Sequence, residues 1–312
     1  MLIRSTTYNN SSMMNSLMEQ QNKLYEIYNK LNSGKKFTNI SENPIDSTSI
    51  MDLNTRLQKI ETYETNINNA TTQLDYQDST FSTIIEKMQR INDLAIQAAN
   101  GAGGTETITA CKLEINELKE SIVALANTQY NGLYIFSGAN TTTPAYTLED
   151  DGSIVYHGTP SDDPGYARKL EISDGVYVDL NIAGDAVFGN FDNTTDPPTG
   201  EGLFKVLGDL EAALNLDPAD TKQITAQLDN IQNSIKNVSE IQSIFGASSA
   251  KMEMTQNTID ETKIILESQK QNLQEVDQTE VISEYIKQNY AYQASMQAYT
   301  IIQNQSLLNY LS

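Results

Sequence analysis

Apolar residues recur at steps of three, four or seven along a long segment in the first third of the chain. This first stripe consists of Ile50, Leu53, Leu57, Ile60, Ile67, Leu74, Phe81, Ile84, Met88, Ile91, Ala95 and Ala98. Because residues 45–100 contain neither Gly nor Pro, the spacing predicts one uninterrupted helix of roughly 70 Å. Its start is marked by Asn43 as a cap, by Pro44 at the first helical position and by Asp46 in the first turn.

A second stripe of nearly the same length lies in the last third of the chain. It consists of Ile224, Leu228, Ile231, Ile235, Val238, Phe245, Met252, Ile259, Leu266, Leu273 and Val276. Asp217-Pro218 repeats the cap-and-proline start, with Asp220 three residues beyond the cap, and Gly246 is the one weak position within the stripe. Each stripe supplies an apolar seam that the other can cover, so together they predict a long antiparallel, coiled-coil-like rod.

A shorter stripe follows the first one and predicts a helix that folds back on it. Ile108 begins this stripe and Leu125 ends it, and the turn dipeptide Asn131-Gly132 closes the segment. A Gly-rich turn at residues 101–104 separates the two stripes. Such a short connection favours an antiparallel helical hairpin.

The segment between the two long stripes, about residues 139–202, predicts a small acidic β domain. It contains twelve Asp and Glu against two basic residues, and its apolar positions alternate with a period of two. Alternation on both sides of Asp174-Gly175 predicts a β-hairpin with that dipeptide as its turn, and Asp151-Gly152 predicts a second hairpin. A linker at residues 194–200 and a short helix at 203–214 lead back to the second stripe.

Both ends of the chain carry apolar residues that predict contacts with other subunits. A short amphipathic helix ends at Gly34, and Asp277 with Glu280 forms a capping box for a last helix. Residues 282–312 contain only two charged residues, so this last helix has no charged outer face and we expect protein to surround it. The predicted subunit-assembly residues on the two helices are Met13, Leu17, Leu24, Ile27, Leu31, Ile282, Tyr285, Tyr292, Met296, Tyr299, Leu307, Leu308 and Leu311.

These patterns predict a mainly α fold with a small inserted β domain. The N- and C-terminal segments form the long antiparallel rod, with residues 45–138 as its first half and residues 203–276 as its second. Residues 139–202 form the inserted acidic, β-rich outer domain. Residues 1–44 and 277–312 are the terminal helices, which together form an inner assembly domain.

Composition and charge argue against several classes of function. The formal net charge of −21 disfavours binding to nucleic acid or to a membrane surface, and no stretch approaches the ~18 consecutive apolar residues of a membrane span. His157 is the only His and Cys111 the only Cys, so the chain can form neither an internal disulfide nor a zinc site. The acidic pairs Asp150-Asp151 and Asp162-Asp163 lack the ligand spacing of a calcium loop. We therefore predict a protein that is not an enzyme and that holds no cofactor and no metal ion.

Five short segments, in order along the chain, carry a family resemblance. They are Ile3-Arg4-Ser5-Thr6, Leu31-Asn32-Ser33-Gly34-Lys35-Lys36, Asn43-Pro44, the segment 126–138 that contains Tyr134-Ile135-Phe136-Ser137-Gly138, and the ending Gln305-Ser306-Leu307-Leu308-Asn309-Tyr310-Leu311. In these segments the sequence resembles the bacterial flagellin superfamily, and more closely the members that form the hook–filament junction. The resemblance covers about residues 1–138 and 201–312, and we match nothing in the middle.

The resemblance implies a flagellin-like fold and a structural role in the bacterial flagellum. It implies a subunit that forms a ring-like homo-oligomer between hook and filament and seats the first flagellin subunits. The implied partners are other copies of the chain, flagellin, a neighbouring hook-associated protein and, before secretion, a flagellar export chaperone. It also implies an extracellular location, reached by type III export without a cleaved signal peptide.

Three alternatives stay open at this point. The first is flagellin itself, the bulk subunit of the filament, which would be present in far more copies than a junction protein. The second is a surface adhesin that displays the acidic β domain on a coiled-coil stalk. The third is an enzyme, which would need a cluster of acids with perturbed pKa values in the middle domain.

Overall fold

The protein is described by a computed structural model in which parts of the chain are left out. The described residues are 2–100, 104–149, 153–189, 202–216 and 219–311, and the described side chains lie between residues 11 and 303 of these ranges. Several predicted features lie outside the described residues, namely the turn at residues 101–103, Asp150-Asp151, Asp151-Gly152, the linker at residues 194–200 and Asp217-Pro218.

Helices make up most of the described chain. They are α1 (Leu2–Ser33), α2 (Pro44–Ala99), α3 (Gly104–Ala126), α4 (Gly184–Phe188), α5 (Leu203–Asn215), α6 (Thr221–Gln274) and α7 (Gln278–Leu311). The strands are β1 (Gln129–Tyr130), β2 (Leu133–Tyr134), β3 (Tyr146–Leu148), β4 (Ile154–Tyr156), β5 (Lys169–Ser173) and β6 (Val176–Asp179). Each strand pairs with its neighbour along the chain, so the described strands form separate two-stranded antiparallel sheets. The predicted mainly α fold with a small β insertion is confirmed.

Polar side chains cap the long helices where the sequence predicts them, with one shift. Asn43 Oδ1 accepts a hydrogen bond from the N–H of Asp46 at 3.2 Å, at the start of α2. Asp277 Oδ1 accepts bonds from two N–H groups in the first turn of α7. Helix α6 begins at Thr221, three residues after the predicted proline start, and Asp220 Oδ1 accepts the two N–H groups of its first turn. An aspartate immediately before the first turn is the better cap because its carboxylate reaches the N2 and N3 amides.

The chain divides into two compact units, each built from separate parts of the sequence. The terminal unit consists of Met1–Lys59 and Glu261–Ser312, and the central unit consists of Ile60–Asp260. Helices α2 and α6 each contribute to both units.

Within the central unit, α2 and α6 pack side by side in opposite directions. The rings of Phe81 and Phe245 lie 5.5 Å apart, and Gln242 Nε2 donates to Asp78 Oδ1 at 2.9 Å. Earlier residues of α2, 67–75, share a surface groove with later residues of α6, 246–257. The antiparallel pairing of the two stripes is thus confirmed for this unit.

A chain of aromatic side chains joins the helices of the central unit to its inserted segments. Phe136 contacts Phe81 of α2 at a ring distance of 5.6 Å and Phe188 of α4 at 5.4 Å. Phe204 of α5 lies 5.3 Å from Phe188 and 4.8 Å from Tyr146 of β3. All five side chains are buried. Edge-to-face and tilted pairs of this kind add to the free energy gained by burying their area.

The segment after α3 forms a hairpin that the sequence did not predict. Its turn dipeptide was predicted, but strands β1 and β2 are only two residues each and show no alternation. Asn131 has φ of 52° and Gly132 has φ of 78°, as a two-residue type I′ turn requires. The predicted hairpin around Asp174-Gly175 is confirmed as β5 and β6, with an irregularity between Glu171 and Ser173.

Amide side chains of α2 hold the β5–β6 hairpin in place in the central unit. Gln73 Nε2 and Gln77 Nε2 both donate to the Leu180 carbonyl, at 2.6 and 3.0 Å. Asn66 Nδ2 donates to the carbonyl of Glu171 at 2.8 Å. These amides give hydrogen-bond partners to backbone carbonyl groups that would otherwise lack one.

Replacing Gly246 with alanine should stabilise the protein. Gly246 lies inside α6, and a Cβ atom placed there meets nothing within 4 Å. We expect the free energy of unfolding to rise by about 0.5–1 kcal/mol, because alanine restricts the unfolded chain and favours the helix. Urea unfolding followed by circular dichroism measures the change. Gly184→Ala is the contrasting control, since its Cβ would lie 2.8 Å from the Tyr146 hydroxyl, and a gain in stability there would contradict this account.

Candidate assembly surface

The two terminal helices pack against each other within the terminal unit. The rings of Tyr28 in α1 and Tyr285 in α7 lie 6.4 Å apart, and Gln288 Nε2 donates to the Gln20 carbonyl at 3.4 Å. Among the described side chains of these two helices, Leu17, Ile27 and Val281 are the buried apolar ones. The two terminal helices therefore pair within a single copy of the chain.

A short backbone bridge joins the connections at the base of these helices. The N–H of Lys36 donates to the Gln274 carbonyl at 2.7 Å, and the N–H of Val276 donates to the Gly34 carbonyl at 3.1 Å. Lys36 Nζ also donates to the carbonyl of Asn272. Gly34 has φ of 66°, a left-handed conformation that glycine adopts without steric cost. The bridge fixes where α1 ends and where α7 begins.

The loop between α1 and α2 is organised around one carboxylate. Glu42 accepts hydrogen bonds from Asn39 Nδ2 at 2.7 Å and from the N–H of Thr38 at 3.2 Å. These bonds hold the pKa of the Glu42 carboxyl below its usual value, with the Asn39 amide as the larger cause. The loop presents the exposed side chain of Ile40.

Most of the predicted assembly residues whose side chains are described lie at least partly inside the helix pair. Leu17 and Ile27 are buried, and Ile282 and Met296 are exposed. The half-buried members are Met13, Leu24, Leu31, Tyr285, Tyr292 and Tyr299. The side chains of Leu307, Leu308 and Leu311 lie outside those described. The apolar stripe of α1 thus marks mainly the face that packs within the monomer.

A second apolar face, which the sequence analysis missed, is the more exposed one. Its members are large apolar side chains of α1 and α7 that stay exposed among the described residues. They are Met14, Met18, Tyr25 and Tyr28 on α1 and Ile286, Tyr290, Ile301 and Ile302 on α7. Together with Ile282 and Met296 we name them the outer face. The steps of four, seven and three between the α1 members are the signal that could have revealed it.

Metal-ligating side chains do not cluster in the part of the chain that the structure describes. Among them, no three His, Cys, Asp or Glu side chains come together in a way that could hold a metal ion. Cys111 is buried in α3, and burial raises the pKa of its thiol. His157 is exposed, and its Nε2 lies 2.7 Å from Thr147 Oγ1. None of the helices in the described ranges is both long enough and apolar enough to cross a membrane.

Two family models match the two ends of the chain. The model for the bacterial flagellin N-terminal helical region matches residues 5–141, and the model for the bacterial flagellin C-terminal helical region matches residues 228–311. Together they cover more than two thirds of the chain, and the region between them, residues 142–227, includes most of the middle segment in which the sequence shows no resemblance.

Relatives match along nearly the whole chain. Flagellar hook-associated protein 3 of Escherichia coli K12 is 26% identical over 308 residues, which are 94% of this chain and 95% of that protein. Flagellar hook-associated protein 3 of Salmonella typhimurium is 23% identical over the same shares of both chains.

Solved structures share the fold. Flagellar hook-associated protein 3 from Legionella pneumophila superposes with a TM-score of 0.63 at 17% identity, covering 72% of this chain and 98% of that one. FlgL from Bacillus cereus superposes with a TM-score of 0.56 at 20% identity, covering 70% of this chain and 99% of that one. The matching ends, the full-length relatives and the shared fold agree: the chain belongs to the bacterial flagellin superfamily, and its similarity to hook-associated protein 3 runs along nearly its whole length.

Proposed function

We propose that this protein is the structural subunit that joins the hook of the bacterial flagellum to its filament and seats the first flagellin subunits. The observation that carries the proposal is the match to hook-associated protein 3, which spans 94% of this chain and 95% of the relative. A match of that extent includes the middle of the chain, which the two flagellin family models leave out. It therefore favours the junction role over that of the bulk filament subunit.

The outer face supports an assembly role. It places exposed apolar side chains on two long helices of the terminal unit, where a monomer gains nothing from them. We assign this face to contacts with other copies in a ring, with flagellin on one side and with a neighbouring hook-associated protein on the other. Before export, the same face would need cover, and a flagellar export chaperone is the partner that we assign to it. In this role the protein is exported to the flagellum without a cleaved signal peptide and needs no cofactor.

Deleting the gene in the source bacterium tests the proposal. We expect cells with hooks but no filaments in electron micrographs, and monomeric flagellin in the culture medium, because export continues while the filament has no seat. Expression of the wild-type gene from a plasmid should restore filaments and serves as the control.

Two other outcomes would overturn the junction role. Loss of filaments without flagellin in the medium would identify the chain as the bulk flagellin. Intact filaments would exclude the junction role and the bulk-flagellin role, and would leave a minor flagellin or the stalked adhesin that displays the β region.

A further inference from the structure

The two units of the chain differ sharply in charge. The central unit contains 30 Asp and Glu against 10 Lys and Arg, whereas the terminal unit contains 11 against 10. Nearly all of the net charge of −21 therefore belongs to residues 60–260. The terminal unit has a net charge of −1, so electrostatic repulsion between the terminal units of two copies is weak.

Exposed apolar side chains have the opposite distribution. Of the 23 large apolar side chains that are exposed among those described, 15 lie in the terminal unit, although that unit is the smaller one. They include the outer face as well as Ile40, Ile45, Met51, Ile264 and Ile265. Exposed apolar side chains are thus concentrated in the terminal unit, and net charge is concentrated in the central unit.

We infer that repulsion between the central units of neighbouring copies opposes self-association through the terminal units and sets the concentration at which the chain assembles. The inference rests on the proposed function only in taking a second copy as the occupant of the outer face. Helices α2 and α6 each contribute to both units, so association through the terminal units raises the local concentration of the central units. Repulsion between the central units keeps newly made copies monomeric until salt screens the charge or until a strong binding site outweighs the repulsion.

Salt screens the repulsion between central units, so the concentration at which the chain assembles should depend on ionic strength. The range of electrostatic repulsion falls from about 30 Å at 0.01 M salt to about 10 Å at 0.1 M, whereas apolar attraction changes little over that range. We expect the threshold concentration for assembly of the full chain to fall about tenfold or more between 0.02 and 0.3 M NaCl. Analytical ultracentrifugation and light scattering across a concentration series measure the threshold.

A set of substitutions separates charge from other effects. Six exposed acids of the central unit are changed together to the corresponding amides: Glu61, Glu117, Glu120, Asp162, Asp229 and Glu253. Repulsion scales with the product of the charges, so removing six of 20 net charges should leave about half of it and reduce the salt-induced fall to about threefold. The matched control exchanges Glu and Asp at the same six positions, which keeps every charge and should behave as the wild type.

Four results would overturn the inference. An assembly threshold that does not change with NaCl would do so, as would amide and charge-conserving variants that show the same salt dependence. Sodium sulfate at matched ionic strength is the third arm: a much larger effect of sulfate than of chloride would indicate strengthened apolar burial instead of screening. A chain that stays monomeric at every salt concentration also contradicts the inference, while the gene deletion still decides the junction role independently.

Discussion

Replacing Phe136 with alanine should lower the free energy of unfolding by about 3–5 kcal/mol, the largest single-residue effect that we expect on the fold. The Phe136 side chain is 0% exposed and lies between Phe81 of α2 and Phe188 of α4. Its truncation removes the transfer free energy of a buried ring and leaves a cavity that two helices and a hairpin border. The Phe136 carbonyl also accepts the N–H of Gly184 at 2.8 Å, so the backbone there has little freedom to fill the gap.

Urea unfolding followed by circular dichroism at 222 nm measures this loss. Leu113→Ala is the matched control, because Leu113 lies on α3 of the same unit and is 62% exposed. That control should cost less than about 1 kcal/mol. A loss at Phe136 no larger than the loss at Leu113 would contradict the role of the aromatic chain in joining the inserted segments to the helices.

Phe136 and the two residues after it belong to one of the segments that carry the family resemblance, and the structure gives a physical reason for each. In Tyr134-Ile135-Phe136-Ser137-Gly138, Phe136 fills the core and Ser137 is buried with its Oγ donating to the Thr143 carbonyl at 3.0 Å. Gly138 has φ of 63°, and a Cβ there would lie 2.7 Å from the Thr159 carbonyl oxygen. Packing or backbone conformation thus requires the residue types at Phe136, Ser137 and Gly138. These residues of the motif serve the fold, so finding the motif in the sequence predicts the fold directly and the function only through the family resemblance.

Local signals were sufficient to predict most of the helices and the main hairpin. The predicted start of α2 at Pro44 and the turn at Gly175 depend only on neighbouring residues, and the structure has both. Capping, glycine turns and apolar periodicity are properties of short windows. The start of α6 was misplaced because Asp217 and Asp220 are both good caps, and sequence alone does not rank them.

The features that sequence analysis missed depend on residues far apart in the chain. In the sequence, Gln73 and Gln77 are merely polar positions on a predicted helix. In the structure, both side-chain amides donate hydrogen bonds to the carbonyl of Leu180, which lies more than 100 residues later in the chain. The predicted assembly residues depend on distant parts of the chain in the same way. An apolar stripe through Leu17 and Ile27 shows that a face is covered, but it does not tell whether the cover is α7 of the same chain or another copy.

Replacing Tyr25 and Tyr290 together with glutamine should raise the concentration needed for assembly by about a hundredfold or more, while leaving the monomer folded. Both side chains belong to the outer face, and each is 67% exposed in the monomer. Burying each ring between copies contributes about 1.5–3 kcal/mol, so losing two of them weakens each contact by about 3–6 kcal/mol. Glutamine is a good helix former and adds no charge, so helix content and central-unit repulsion should stay unchanged.

The double substitution Leu113→Gln with Met254→Gln provides the matched control. These two side chains are 62% and 72% exposed and lie on helices of the central unit. The control therefore replaces two large exposed apolar side chains with glutamine, as the tyrosine variant does, but in the other unit. Ultracentrifugation at 0.3 M NaCl compares the thresholds, and each variant is also tested for restoring filaments in the deletion strain. If attraction between copies comes from the terminal unit, only the tyrosine variant shows a raised threshold and no filaments. The reason is that a glutamine amide buried at an interface without a hydrogen-bond partner costs free energy, whereas an amide exposed to water does not. Equal thresholds for the two variants would place the contact between copies elsewhere on the chain.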